Sequence, residues 1–194
     1  MIGLARQLAL IDSAEKELGN AFLEVAGRHA REPEIWETAA LLAQWSAGHR
    51  ARLRTFRGRY GPGRDPGPRK LARALFGGKR RGGIGLLRDL QDLSVLAHFV
   101  HVGWSSAVQA AKALRDRELE DAIGEMGAET DRQIAWLRTA IAVNAGQALA
   151  VPPNPLAELW ASRPKPPGSV PGRTIRRSRI RRMIGNVLGH LAPA

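Results

Sequence analysis

The chain has 194 residues, of which 44% are hydrophobic, and a formal net charge of +12. This length fits one domain with an appendage or two small domains, and the absence of cysteine excludes disulfides and thiolate chemistry. The charges of Arg6 and Asp12 come too early for a secretory signal peptide, and no apolar run approaches the roughly 20 residues of a membrane span, so the expected location is the cytoplasm.

Two amphipathic helices are predicted in the first 60 residues. From about Ile2 to Ala30, apolar side chains recur at steps of three and four and form one helical face. The pair Glu32–Pro33 ends this helix, because a residue before proline avoids the α region. A second helix is predicted from about Glu34 to Arg57, and its inward face is expected to carry Ile35, Thr38, Leu42, Trp45, His49, Arg52 and Phe56. The tight connection makes the two helices antiparallel neighbours.

Residues 59–83 form a long connection, since glycine and proline dominate both of its ends. A short helix is predicted within it, from Arg69 to Phe76. A third long helix is predicted over Gly85–Arg115, and Asp116 is suited to cap a fourth that reaches about Gln147. The connection is long enough to run back along a bundle, which would make the second and third long helices parallel. Residues 1–150 are therefore predicted to form an all-α antiparallel four-helix bundle with one long crossover.

Each predicted long helix carries a polar interruption near the middle of its apolar face. Counting from the helix ends places these interruptions at about the same height in the bundle. The inward-facing residues are Glu15, His49, His101, Thr130 and Gln133, and Glu17, His98 and Glu129 are expected at the edges of the same layer. The sequence thus predicts one polar layer at the centre of the bundle.

Two helix pairs, a long crossover and mid-helix polar residues resemble the ferritin-like superfamily over about residues 4–148. The resemblance implies a di-iron site with a carboxylate on each of two helices and a Glu-x-x-His motif on each of the others. In AQWSAGHRARL, His49 is present but Ser46 stands where the glutamate belongs. In GAETDRQIAWL, Thr130 and Gln133 replace the glutamate and the histidine. The implied di-iron site is therefore degenerate.

The polar layer has two main interpretations. In the first, Glu15 is hydrogen-bonded to His49 or Gln133 in a structural network that fixes helix register, and no cofactor is expected. In the second, Glu15, His49 and His101 converge on one iron or other transition metal as a facial triad, which would make the protein a metal-dependent oxidoreductase. Haem between His49 and His101 is a further alternative. His29 and His190 are expected to be solvated.

The excess positive charge lies outside the four predicted long helices. Residues 59–85 and residues 152–194 each carry a net charge of +7, whereas residues 86–151 carry −3. Such basic segments indicate an anionic partner or serve solubility. The candidate anion-binding residues are Lys79, Arg80, Arg81, Arg176, Arg177, Arg179, Arg181 and Arg182.

Residues 151–194 are predicted to be a separate region, a proline-rich linker followed by a basic amphipathic tail. One helical face of the tail would carry Ile180, Met183, Ile184, Val187, Leu188 and Leu191. Such a segment can lie on an anionic membrane, dock in a groove of a protein or bind nucleic acid, and a disordered basic tail is the alternative. Binding to a membrane would make the protein peripheral there.

The predicted function is that of a non-catalytic binding or scaffold module acting through its basic segments. A metal-dependent oxidoreductase is the alternative. Whether the chain is an enzyme stays open at this point, as does assembly into a homo-oligomer.

Overall fold

A computed structural model describes residues 2–78 and 80–150. The helices are α1 (Ile2–Arg28), α2 (Pro33–Tyr60), α3 (Arg69–Leu75), α4 (Gly82–Leu114) and α5 (Arg117–Ala150). No strand occurs within the described residues, so the all-α prediction is confirmed for them. The predicted helix bounds differ from the observed ones by less than one turn. The predicted linker and tail lie outside the described residues.

Side-chain contacts show that α1 and α2 run in opposite directions. Oδ2 of Asp12 on α1 accepts a 2.6 Å hydrogen bond from Arg57 near the end of α2. Further along α1, Gly19 lies so close to α2 that an added Cβ would be 3.3 Å from Cβ of Ser46. A later position on α1 therefore meets an earlier position on α2, as the tight connection between them predicts.

The pairs α4–α5 and α1–α4 are also antiparallel. Gly83 at the start of α4 lies beside Ala148 at the end of α5. Gln7, early in α1, donates a 3.2 Å hydrogen bond to the carbonyl oxygen of Gly103, late in α4, whereas Arg28 at the end of α1 reaches Asp89. Because α1 opposes both α2 and α4, these last two helices are parallel to each other.

The crossover between α2 and α4 runs along the outside of α1. Gly63 packs so closely that an added Cβ would lie 2.0 Å from the carbonyl oxygen of Ala5, and a Cβ added at Gly67 would lie 2.6 Å from Cβ of Ser13. At the far end, the carbonyl oxygen of Phe76 accepts a 2.7 Å hydrogen bond from Arg28. The glycines of the crossover thus allow the backbone to lie directly on α1.

The buried face of α1 is the predicted one, but that of α2 is turned relative to the prediction. Three side chains predicted to face the core are only half-buried: Thr38, Trp45 and Arg52. The residues that follow each of them are buried instead: Ala39, Ser46 and Leu53. Successive residues of a helix point about 100° apart, so a small rotation of α2 exchanges these two sets.

None of the helices within residues 2–78 and 80–150 combines the length and apolar character that spanning a bilayer needs.

Candidate functional site: a buried carboxylate–histidine network

His49 of α2 lies fully buried between two glutamates from different helices. Its Nδ1 is 2.7 Å from Oε1 of Glu15 on α1, and its Nε2 is 2.8 Å from Oε2 of Glu129 on α5. Glu15 is as buried as His49, whereas the Glu129 side chain keeps 29% of its surface exposed. The three side chains thus form a continuous series of hydrogen bonds from the buried space between the helices to the surface.

Both glutamates favour the protonated form of His49. Burial by itself lowers the pKa of this imidazole, but the hydrogen bonds and negative charges of Glu15 and then Glu129 raise it above the ordinary value of 6.5. In the imidazolium both ring nitrogens are donors, so each of them donates to one carboxylate. The two contacts and the raised pKa therefore both favour a positively charged His49 inside the structure.

The network and the polar and aromatic side chains beside it together involve all four long helices. The Trp104 ring of α4 meets the His49 ring edge-on, with 5.9 Å between the ring centroids. Nε1 of Trp104 donates to Oγ1 of Thr130, which in turn donates to the carbonyl oxygen of Met126, both at 3.1 Å. Gln133 donates a 3.0 Å hydrogen bond to the carbonyl oxygen of Leu42. Thr130 and Gln133 thus hold α5 in register against α4 and α2.

Two acceptors of this layer stay unpaired among the described residues. Oε2 of Glu15 and Oε1 of Gln133 are buried and have no hydrogen-bond partner there. An unpaired buried acceptor destabilises a fold by about 1–3 kcal/mol. Only one of the two oxygens of Glu15 is therefore stabilised, and it depends on His49.

His101 does not join this layer, contrary to the prediction. Its side chain is 41% exposed, and its Nδ1 lies 2.8 Å from Oδ1 of Asp131 on the surface of α5. The reason is the rotation of α4, whose buried face includes Val100 and Trp104. His101 follows Val100 and points about 100° away from it, to the edge of that face.

The other two residues expected at the edges of the layer, His98 and Glu17, form no hydrogen bond with the network among the described residues. His98 is exposed, and its Nδ1 donates a 2.7 Å hydrogen bond to the carbonyl oxygen of Ser94 on its own helix. Glu17 is half-buried on α1. Only Glu129, of the three predicted edge residues, bonds to the network.

The three predicted metal ligands therefore do not converge. Glu15 and His49 are in contact, but His101 pairs with Asp131 instead. Both ring nitrogens of His49 already face carboxylates, so a metal ion bound to His49 would have to displace Glu15 or Glu129. Within residues 2–78 and 80–150, no group of three or more histidine or carboxylate side chains is arranged to hold a metal ion. The facial triad, and haem ligation by His49 with His101, do not fit this geometry.

A second buried network joins the ends of α1 and the crossover to α4. Asp89 is fully buried and accepts hydrogen bonds from Arg28 at 2.8 Å, His29 at 2.9 Å and Arg80 at 2.9 Å. Burial alone raises the pKa of Asp89, but the His29 hydrogen bond and the charges of Arg28 and Arg80 lower it below its ordinary value. Arg80 also donates to Asp92, at 2.6 Å. The network ties the end of the crossover to the body of the fold.

This network corrects two predictions. His29, expected to be solvated, is 6% exposed and bonded to Asp89. Arg80, expected to bind an anion, is engaged by Asp89 and Asp92 and by the carbonyl oxygen of Leu75. Arg81 is exposed, as an anion-binding residue would be. Lys79 and the predicted tail arginines lie outside the described residues.

The sequence contains one short signal for the second network, a pair of aspartates near the start of α4. Asp89 and Asp92 stand three residues apart within the apolar stretch that begins α4, where a buried carboxylate needs a cationic partner. Their partners are dispersed over residues 28–29 and 80, and only the fold brings these segments together.

The chain was compared with family models, with curated proteins and with solved structures, and no match was found in any of the three comparisons.

Proposed function

We propose that this protein is a ferritin-like four-helix bundle with a degenerate di-iron site, and that it acts as a binding or scaffold module for an anionic partner. The arrangement of the helices supports the first part. Four long helices lie in antiparallel pairs, and the connection between α2 and α4 is a long crossover along α1.

The proposal of a non-catalytic role rests on how the side chains of the polar layer are bonded to groups within the protein. The His49 ring is fully buried, and each of its nitrogens faces one glutamate. Ser46, Thr130 and Gln133 occupy positions where the ferritin-like motif calls for metal ligands, and hydrogen bonds within the protein engage Thr130 and Gln133. Such a layer stabilises one register of the helices, and this role needs no substrate.

Charge supports the anionic partner. Residues 152–194 carry +7 of the net charge of +12, and six of their eight basic residues lie between Arg173 and Arg182. In the described residues, by contrast, many basic side chains form ion pairs, as Arg80 does with Asp89 and Asp92. A large part of the positive charge available to a partner therefore lies in the tail segment.

The test compares the unchanged full-length chain with a full-length variant in which five tail arginines become glutamine. The five positions are Arg176, Arg177, Arg179, Arg181 and Arg182. Binding to anionic lipid vesicles and to duplex DNA is measured at several salt concentrations. We expect the unchanged chain to bind with an affinity that falls steeply as salt rises, and the variant to bind weakly with a shallower dependence on salt. Equal binding by the two proteins would contradict the role of the tail.

One observation favours the alternative, a metal-dependent oxidoreductase. Oε2 of Glu15 is a buried carboxylate oxygen without a hydrogen-bond partner among the described residues. Metal analysis of protein purified without a histidine tag separates the two functions. A stoichiometric transition metal that is lost in Glu15→Gln would favour the alternative, and protein free of metal would favour the binding module.

A further inference from the structure

The outer side of the crossover is an exposed cationic surface. Five of its basic side chains are exposed and have no carboxylate within ion-pair distance among the described residues: Arg64, Arg69, Lys70, Arg73 and Arg81. Elsewhere in the crossover region, Arg59 and Arg80 are paired with aspartates. The basic residues of the crossover region are thus of two kinds: some form ion pairs within the fold, and others face solvent.

The packing of the crossover explains why the three basic side chains of α3 face outward. Gly63 and Gly67 lie directly on α1, and both Ala72 of the short helix α3 and Phe76, which follows α3, are buried. The inner side of the crossover is therefore occupied by α1 and the core. Arg69, Lys70 and Arg73 of α3 are the residues left outside.

Large apolar side chains are exposed beside the basic ones. Leu71 on α3 is 37% exposed, and Ile84 in the first turn of α4 is 67% exposed. Leu71 follows Lys70 directly, and Ile84 lies three residues after Arg81. Basic groups with adjacent exposed apolar groups are typical of segments that lie at a lipid–water interface, where the cations meet phosphates and the apolar groups enter the acyl boundary.

We propose that this outer side of the crossover is a membrane-contact surface that binds the phosphate groups of anionic lipids. The surface is charge-complementary to such a membrane, and it lies on the outside of α1, where a flat bilayer can reach it. Duplex DNA is the less suitable partner, because its phosphates offer nothing to Leu71 and Ile84. The inference deepens the proposed function and depends on it, since it assigns the anionic partner to a class and adds a folded contact to the tail.

The experiment uses the full-length chain and vesicles of equal parts phosphatidylcholine and phosphatidylglycerol. The test variant is Arg69→Gln/Lys70→Gln/Arg73→Gln. We expect its vesicle affinity at low salt to fall by about two orders of magnitude, since each basic side chain close to an anionic membrane contributes roughly a factor of five or more.

A matched control removes the same charge elsewhere. Arg54, Arg117 and Arg138 are exposed on α2 and α5 and form no ion pair among the described residues. We expect vesicle affinity at low salt to fall less than about tenfold in the control variant Arg54→Gln/Arg117→Gln/Arg138→Gln. Charges farther from the membrane than the Debye length of roughly 10 Å are screened. Equal losses in the two triple variants would overturn the proposal, since net charge alone would then explain binding. Circular dichroism and thermal unfolding check that both variants are folded.

A second variant separates membrane from nucleic acid. Leu71→Ser/Ile84→Ser is expected to weaken vesicle binding at high salt, where electrostatic attraction is screened, and to leave duplex DNA binding unchanged. A crossover triple variant that loses DNA binding but keeps vesicle binding would overturn the membrane assignment.

The outcomes for the crossover and the tail are distinguishable. If the tail variant loses binding and the crossover triple variant does not, only the crossover inference fails. If the unchanged chain binds neither vesicles nor DNA, the proposed function fails and the inference fails with it.

Discussion

The contact of α1 with α4 and the contact of α2 with α5 differ in their chemistry. Between α1 and α4, Gly103 lets the helices come close, so that an added Cβ would lie 3.0 Å from Cγ1 of Ile11. Between α2 and α5, long polar side chains span the gap. These contacts include His49 with Glu129, Arg52 with Glu125, Gln133 with the carbonyl oxygen of Leu42, and Arg132 over the Trp45 ring.

The difference shows that helix packing in this fold is specified in two ways, by side-chain size and by polar contacts. Around Gly103 the α1–α4 contact depends on the size of side chains, because close packing leaves no room for added atoms. At the other end of the two helices, the ion pair of Arg28 with Asp89 joins them. The α2–α5 contact depends on charge and hydrogen bonding, so protonation changes it. Breaking each contact should therefore leave a different experimental signature.

The largest expected effect is at His49, which links α2 both to Glu129 on α5 and to Glu15 on α1. His49→Leu removes the only hydrogen-bond partner of Glu15, whose Oε2 has none among the described residues, and leaves a buried carboxylate unpaired. We expect the free energy of unfolding to fall by about 3–5 kcal/mol, measured by urea denaturation. Glu129 is partly exposed and can be rehydrated, so it adds little to this loss.

The matched control for this prediction is the double variant Glu15→Leu/His49→Leu. Replacing a buried ion pair by apolar side chains of similar volume is often neutral or stabilising, so the double variant should recover most of the lost stability. A double variant as unstable as His49→Leu would show that packing, and not the unpaired charge, sets the cost.

A smaller effect is expected at the α1–α4 contact. Gly103→Val adds a branched side chain against Ile11 and should lower the free energy of unfolding by about 1–3 kcal/mol through overpacking. The control is Gly124→Val on α5, where an added Cβ meets nothing within 4 Å. Similar urea midpoints for the two valine variants would refute the close packing of α1 and α4.

The smallest effect is the response to pH of the His49 contacts with Glu15 and Glu129. Because the folded chain raises the pKa of His49 above its ordinary value, the folded state holds the proton more tightly than the unfolded state. The stabilisation from His49 is complete below the unfolded pKa and is lost as pH rises through the folded pKa. The free energy of unfolding should fall in that interval by at most about 1.4 kcal/mol per pH unit.

Urea denaturation at a series of pH values measures this slope. The double variant Glu15→Leu/His49→Leu lacks the titrating group and should lose this part of the pH dependence, whereas Gly103→Val should retain it. An unchanged slope in the double variant would assign the pH dependence to other groups.

The sequence alone determined the helices and their order. Periodic apolar residues, Pro33 and the glycine-rich ends of the crossover are local signals, so they act before any tertiary contact forms. The same periodicity placed Glu15 and His49 on inward faces at similar heights, and these two residues are in contact in the structure.

Only the tertiary structure decided which polar groups became partners. A rotation of α4 by a fraction of a turn moves His101 from the core to Asp131, and the rotation of α2 buries Ser46 in place of Trp45. Periodicity defines the apolar face of a helix but not its angle to the neighbouring helices, which the packing of all four long helices sets. The burial of His29 and the capture of Arg80 have the same cause, since both need segments distant in sequence to meet at Asp89.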